Sequence, residues 1–256
     1  MRWRFGRRLA GRNLLRAFAA AYPEAFFVEI GANDGDQGDP LRPYILSEPW
    51  RGIMVEPVPH VFERLRRNYA GLDRVAVENA AIADRDGRLP FFHLAPLAGA
   101  DLERVPEWYE KVGSLSREQV LSHRDEIPDV ERLIVRSEIP CMTFESLCRK
   151  HGADMVDLLL IDAEGHDYEI VKQLDLEARR PRVLIYEHIH LPPDQRAECR
   201  ALLERHGYET KEEFLDTWCL DTRWDDRLTR RWRRFRDLVD EDELRRWFEG
   251  ITGRGG

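Results

Sequence analysis

Cysteine is scarce in this chain. There are four in 256 residues, Cys141, Cys148, Cys199 and Cys219, and none forms a close pair. That spacing excludes a Cys-x-x-Cys redox motif and a zinc ribbon, and the four read as ordinary reduced thiols, partly buried, of a cytoplasmic protein. Long apolar runs are missing as well: no stretch approaches the roughly 20 residues that a membrane helix needs. The N-terminal MRWRFGRRLAGRNLLRAFAAAY has the outline of a signal peptide. However, Arg12, Asn13 and Arg16 interrupt its apolar part and a strand follows at once. Residues 1–22 therefore read as an amphipathic first helix with a cationic face. Nor is there an excess of positive charge. With 40 Lys and Arg against 48 Asp and Glu, the net charge is −8, which argues against bulk attraction to nucleic acid. Internal repeats, low-complexity segments and linkers are absent, so the economical reading is one domain over 1–256.

What is present is an alternation of strands and helices. Hydrophobic residues make up 43% and charged residues 34%, the balance of a chain with a core and a well-solvated surface. Short apolar runs mark strands at Phe26–Ile30, Gly52–Glu56, Val75–Ile82, Leu89–Leu94, Val156–Ile161 and Arg182–Glu187. Helical spacing covers about Val58–Tyr69, Tyr168–Leu174 and Pro193–His206. Thr143 caps a short helix through Cys148. Tyr208 to about Leu220 reads as a final hairpin, and residues 224–256 as an amphipathic helical tail. Between them, residues 95–134 are polar and carry Pro96, Pro106 and Pro128. This stretch is either a lid-like helical insertion over a site or an irregular surface excursion. The order predicts an α/β fold: a mostly parallel sheet covered by helices on both faces.

In open sheets of this kind, ligands sit beyond the carboxyl ends of the strands. The first strand ends in Glu29-Ile30-Gly31-Ala32-Asn33-Asp34-Gly35. Gly31 and Gly35 permit positive φ and close backbone approach, and Asn tolerates the left-handed region better than most residues. The second strand ends in Glu56-Pro57, where an acid is placed to accept hydrogen bonds from two ribose hydroxyls. The third ends in Glu78-Asn79-Ala80-Ala81, in which Asn79 can read an adenine edge and the alanines leave room for the ring. Asp34, Asp36 and Asp39 would repel a pyrophosphate seated on the glycine loop. They suit a ligand with a sulfonium and an ammonium group, unless they are solvated loop residues that cap a helix.

These residues resemble the FkbM family of S-adenosylmethionine-dependent methyltransferases. The resemblance is carried by Val28-Glu29-Ile30-Gly31-Ala32-Asn33-Asp34-Gly35, Val55-Glu56-Pro57, Glu78-Asn79-Ala80-Ala81-Ile82-Ala83-Asp84 and Leu160-Ile161-Asp162-Ala163-Glu164-Gly165. It spans roughly Phe26 to His188; Ala163 stands where the family often has Val. It implies a class I methyltransferase, Rossmann-like fold with a mostly parallel seven-stranded sheet. It also implies S-adenosylmethionine as cofactor and, for most members, methylation of hydroxyl groups on sugars, polyketides and related metabolites. The cofactor-binding candidates are Glu29, Gly31, Ala32, Asn33, Asp34, Gly35, Glu56, Pro57, Asn79, Ala80 and Asp162.

Methyl transfer from a sulfonium is an in-line displacement that needs an oriented nucleophile, and a hydroxyl nucleophile gains from a base or a metal. Asp162 follows the fourth strand and Glu187-His188 the fifth, so the catalytic candidates are Asp162, Glu187 and His188. Two mechanisms stay open. The three hold a divalent ion such as Mg or Mn, although an imidazole is unusual for Mg. Alternatively, Glu187 or His188 is a general base while Asp162 orients cofactor or acceptor. His123, His166 and His190 are weaker candidates. His123 is noted because Gly113–Arg117 and Ser122–Arg124 read as a polar helix facing a cleft.

Both ends are rich in arginine. Arg2, Arg4, Arg7, Arg8 and Arg12 flank the first helix; Arg230, Arg231, Arg233, Arg234 and Arg236 crowd the last, beside Trp232, Phe235 and Trp247. Such a mixture can mark nucleic-acid or anionic-membrane contact. Asp237, Asp240, Glu241, Asp242 and Glu243 balance the tail, which favours packing or a homo-oligomer through the terminal helices. The expectation is an O-methyltransferase acting on a small metabolite, sugar or glycan hydroxyl. RNA or protein methylation and a non-catalytic binding protein are the competing readings. No Asn-Pro-Pro-aromatic sequence, typical of amide or base N-methylation, occurs.

Overall fold

A computed structural model of the chain describes residues 9–236. In chain order the elements are α1 Leu9–Ala21, β1 Phe26–Ile30, α2 Arg42–Ser47, β2 Arg51–Val55, α3 Pro59–Asn68, β3 Val75–Glu78, β4 Ala81–Ile82 and β5 Gly87–Leu94. They continue with β6 Gly113–Ser114, α4 Arg117–Leu121, α5 Val130–Leu133, β7 Ile134–Met142, α6 Phe144–His151, β8 Leu158–Ile161 and α7 Asp167–Lys172. The last are β9 Val183–Glu187, α8 Pro193–Arg205, β10 Tyr208–Glu213, β11 Asp216–Asp221 and α9 Arg227–Arg236.

The main sheet has seven strands in the order β10-β11-β9-β8-β1-β2-β3. Five are parallel, from β9 to β3, and only β11 runs against its neighbours. The chain steps outward from β1 to β3, then returns to β8 on the other side of β1. Connections on either side of this switch point leave in opposite directions, which opens a crevice at the carboxyl ends of β1 and β8.

Burial follows the pleat, since alternate side chains face opposite sides of a strand. Phe27, Met54 and Leu160 join Phe18 of α1, Trp50, Trp218 and Trp232 on one face. Val28, Ile53, Leu159 and Leu184 meet Leu147 of α6, Ile170 of α7 and Leu203 of α8 on the other. Thr143 caps α6 by accepting from the Ser146 amide at 3.0 Å. The four cysteines are buried and unpaired. Among the described residues no helix is long and apolar enough to cross a membrane.

Two expectations need correction. The strand expected over 75–82 breaks at Asn79-Ala80: β3 stays in the main sheet, while β4 pairs with β7. The break has a cause, because the Asn79 side-chain amide donates to the carbonyls of Glu56 (2.8 Å) and Pro57 (3.1 Å) and turns the chain out of the sheet. The second departure is a separate four-stranded sheet, β4-β7-β5-β6, which no local pattern announced. It closes its own apolar cluster of Val58, Val61, Phe91 and Ile139.

Residues 95–134 form two 3₁₀ segments, β6, α4, a further 3₁₀ turn at Ser122–Asp125, and α5. Tyr109, Val112, Val120, Ile127 and Val130 give this insertion a core of its own. Its inner edge reaches the main sheet: Ser114 Oγ donates to the Glu164 carbonyl at 3.2 Å and Lys111 Nζ to the Gln37 carbonyl at 2.8 Å.

At the termini, α1 and α9 pack against each other. Trp232 is wholly buried, and Arg182 holds the start of α9 through Asp226 (2.8 Å) and Thr229 (2.9 Å). Arg233 and Arg236 pair with Glu209 of β10, so part of the basic tail is neutralised across the sheet edge rather than along the helix. Arg2, Arg4, Arg7 and Arg8 and the acidic run after Arg236 lie outside the described residues, as does Trp247.

Candidate active site

The crevice holds an open cleft of about 900 Å³, mouth included, lined from the ends of β1, β2, β4 and β8 and roofed by Lys111, Gly113 and Leu115 of the insertion. At the end of β1, the amides of Gly31 and Ala32 both donate to the Val55 carbonyl, at 2.9 and 3.0 Å. This tight turn needs left-handed backbone at Gly31 (φ +78°), Asn33 (+51°) and Gly35 (+65°). Gly31 is also packed so closely on the Asp162 carbonyl that a Cβ there would overlap it.

Glu56 is buried, and both of its carboxylate oxygens accept backbone amides: Oε2 from Asn33 at 2.9 Å and Oε1 from Val58 at 2.7 Å. The acid therefore orders the glycine loop as well as facing the cleft. Burial pushes its pKa up to about 7, against the opposing pull of those two amides. Asp34 serves the loop itself, with Oδ1 accepting the amides of Asp36 (3.0 Å) and Gln37 (3.2 Å). Pro57 and Ala80 line the cleft, whereas the Asn79 amide is committed to the carbonyls of Glu56 and Pro57.

Carboxylates dominate the cleft wall. Glu29 is buried with Oε2 lacking any partner, and it faces Asp39. Burial first, then the Asp39 charge, raises the Glu29 carboxyl well above its ordinary range. Burial likewise lifts Asp39 to about 6, although the Leu41 amide donates to it at 2.6 Å. Asp162 opens into the cleft yet is ringed by protein. Desolvation, followed by the charges of Glu164 and Asp167, raises it too.

A carboxyl whose pKa rises on folding binds its proton more tightly in the folded chain. What Glu56 contributes to stability is complete below its ordinary 4.5 and is lost as pH climbs through about 7. Without ligand, the urea midpoint is therefore expected to fall between about pH 5 and pH 8. Glu56→Gln should flatten that fall; an unchanged slope in the variant would show that Glu56 does not drive it.

The expected neighbourhood of the fourth and fifth strand ends is present, since Ile161 pairs with Tyr186. Asp167 clips the two ends together. Fully buried, it accepts the amides of Ala163 (3.4 Å) and Glu187 (3.2 Å), and burial lifts it to about 8. Asp167 escaped notice in the sequence because an acid in a first helical turn ordinarily needs no further explanation. Glu187 is buried, with Oε2 unpartnered and its carboxyl raised by burial, then by Asp162 and Glu164.

His188 departs from expectation. Its ring is buried, with Nδ1 3.0 Å from the Thr217 hydroxyl of β11. The trio Asp162, Glu187 and His188 is accordingly not gathered as a metal site. The imidazole that reaches Glu187 belongs to His190, with Nε2 3.6 Å from Glu187 Oε2 and 3.3 Å from Glu164 Oε2. His123, carried in by the insertion, brings Nε2 to 3.6 Å from the same Glu164 oxygen. Two side chains noted only weakly in the sequence thus stand at the site, and Lys111 was not singled out at all.

Comparison with known proteins decides the family. A model of the methyltransferase FkbM domain matches residues 29–210. The chain belongs to that family. With its strand order, this makes the fold that of a class I methyltransferase. The FkbM domain here is 27% identical over 150 residues to the 2-O-methyltransferase NoeI of Sinorhizobium fredii, covering 58% of this chain and 57% of NoeI. The matched region thus spans little more than half the length of that curated relative. Among solved structures, the methyltransferase FkbM of Methylobacillus flagellatus is similar with a TM-score of 0.48 and 14% identity, over 77% of this chain and 44% of that one. The precorrin-6y C5,15-methyltransferase of Geobacter metallireducens has a TM-score of 0.37 and 12% identity, over 80% and 84%.

An FkbM methyltransferase domain implies S-adenosylmethionine, and the cleft has features that fit it. Gly31, Ala32 and Asn33 line the opening, and Glu29, Asp39 and Asp162 set carboxyl groups there whose charged form, disfavoured by burial, sulfonium and ammonium groups would stabilise. Glu29 Oε2 is a buried oxygen with no hydrogen-bond partner, open to a polar group of the ligand.

Proposed function

We propose that this FkbM-family protein transfers a methyl group from S-adenosylmethionine to a hydroxyl of a small metabolite, sugar or glycan. The observation that carries this reading is the meeting, at one crevice, of the Gly31 turn, the Glu56 carboxylate and the acidic end of β8, with Glu187 closing the neighbouring strand β9. The residues assigned to the cofactor are Glu29, Gly31 to Asn33, Glu56, Pro57, Ala80 and Asp162, with Asp34 and Gly35 shaping the loop and Asn79 holding the ends of β2 and β3 together. S-adenosylmethionine, when bound, supplies the electrophilic methyl group.

The protein's own part is orientation and proton removal. Glu187 is assigned as the base that takes the hydroxyl proton: it is buried and hemmed in by Asp162, Glu164 and Asp167, and its raised pKa makes the carboxylate a stronger proton acceptor. Asp162 orients the reacting groups. His188, tied to Thr217, positions the end of β9 rather than reacting. The name of NoeI supports a hydroxyl acceptor, as does a carboxylate base beside the cleft.

Titration with S-adenosylhomocysteine, followed by a screen of hydroxylated acceptors, tests the whole reading. Binding near one per chain is expected; none at millimolar ligand would sink it. On an acceptor so found, Glu187→Gln should lower kcat about tenfold or more while changing cofactor affinity less than about twofold. Full activity in that variant would remove Glu187 from the mechanism.

A further inference from the structure

Three polar groups from distant parts of the chain converge beside the cleft without hydrogen-bonding one another. His123 comes from the insertion, Glu164 from the turn after β8, and His190 from the turn after β9. One ligand atom from each lies within 4.8 Å of the others. The separations that are shortest, 3.3 Å from His190 Nε2 and 3.6 Å from His123 Nε2 to Glu164 Oε2, exceed those of good hydrogen bonds. These two match the edge of a tetrahedron, about 3.3–3.6 Å, around an ion bonded at about 2.0–2.2 Å, while the two imidazoles lie within 4.8 Å of each other.

Two of these three ligand atoms, and a neighbouring carboxylate oxygen, are unsatisfied. His123 Nε2, Glu164 Oε2 and Glu187 Oε2 are buried without a hydrogen-bond partner, and His123 is only 8% exposed. Buried polar atoms ordinarily find partners, so the orphaned His123 Nε2 and Glu164 Oε2, 3.6 Å apart, ask for a shared one. Behind the ring, His123 Nδ1 lies 4.0 Å from the exposed Glu126 carboxylate, beyond hydrogen-bond distance. Glu164 is held in left-handed backbone (φ +47°), followed by Gly165 at +87°, and its side chain lies between the two imidazoles.

We infer that His123, Glu164 and His190 form a binding site for one divalent transition-metal ion, with Glu187 standing beside His190 outside the ligand set. Two imidazoles and a carboxylate suit Zn, Mn, Co or Fe better than Mg, which prefers oxygen. The ion would clamp the insertion onto the ends of β8 and β9. Its catalytic use, lowering the pKa of an acceptor hydroxyl, rests on the function proposed above; the site itself does not.

Cobalt tests the site, because Co²⁺ reports its ligands through visible absorption. Full-length protein, stripped with a chelator, is titrated with Co²⁺ while S-adenosylhomocysteine binding is followed on the same samples. The expected result is one Co²⁺ per chain, displaced by Zn²⁺ and not by equimolar Mg²⁺. His123→Ala, His190→Ala and Glu164→Gln should each weaken it at least tenfold, while His206→Ala, remote from the cluster, leaves it unchanged. Circular dichroism identifies any variant that fails to fold, and His190→Gln, which keeps the side-chain volume, then takes its place. Failure to bind Co²⁺ stoichiometrically, or binding that none of the substitutions moves, overturns the site. Co²⁺ binding by a protein that does not bind S-adenosylhomocysteine would instead overturn the methyltransferase reading and leave the metal site standing.

Discussion

Gly31→Ala is expected to destabilise the protein by about 3 kcal/mol or more and to weaken S-adenosylhomocysteine binding over 100-fold. Two effects add. An L-residue at φ +78° is strained, and its Cβ would occupy the space of the Asp162 carbonyl oxygen. That carbonyl belongs to the strand end beside β1, with the Asp162 amide donating to the Ile30 carbonyl at 2.9 Å, so relief requires the two central strands to part. The Gly31 and Ala32 amides, both held by Val55, leave the turn no slack on its other side. Urea denaturation and calorimetric titration check the two halves separately. A variant within about 0.5 kcal/mol of the parent would mean that the turn is looser than the packing implies.

Glu56→Ala comes next in size. A loss of about 1.5–3 kcal/mol in cofactor binding is expected, roughly tenfold to 150-fold in Kd. The structure adds a reason beyond direct contact. The carboxylate that faces the cleft also holds the amides of Asn33 and Val58, so its removal loosens the glycine loop and the start of α3 together. The variant should accordingly exchange the Asn33 and Val58 amide hydrogens faster even without ligand. Unchanged affinity would sink the assignment of Glu56 to the cofactor, whatever happens to exchange.

Glu56 and Gly31 could be found in the sequence because each sits where an apolar run stops, and a parallel sheet places the ends of its strands along one edge. His188 departs from expectation for a related reason. It follows β9 directly, as Glu187 ends it, but the chain turns there, and the ring is taken by Thr217 of β11, a partner 29 residues away. His190 lies in the following turn, where neither strand nor helix periodicity says which way a side chain faces. The second sheet stayed hidden because β4 is two residues long and its break from β3 depends on the Asn79 amide reaching two carbonyls of another strand.

By itself the sequence determined the α/β order, the parallel core, the turn after β1 and the acids at the ends of β2, β8 and β9, since each depends on a local run of residue types and on backbone freedom at a few positions. Only the tertiary structure decided which of those groups meet. It brought Asp167 to the Glu187 amide, Glu56 to the Asn33 amide, and His123 from the insertion to Glu164 and His190. The reason is physical: local pattern sets where a strand ends and which face is apolar, but the path of a 40-residue excursion is set by what its own small core and the sheet edge can bury together.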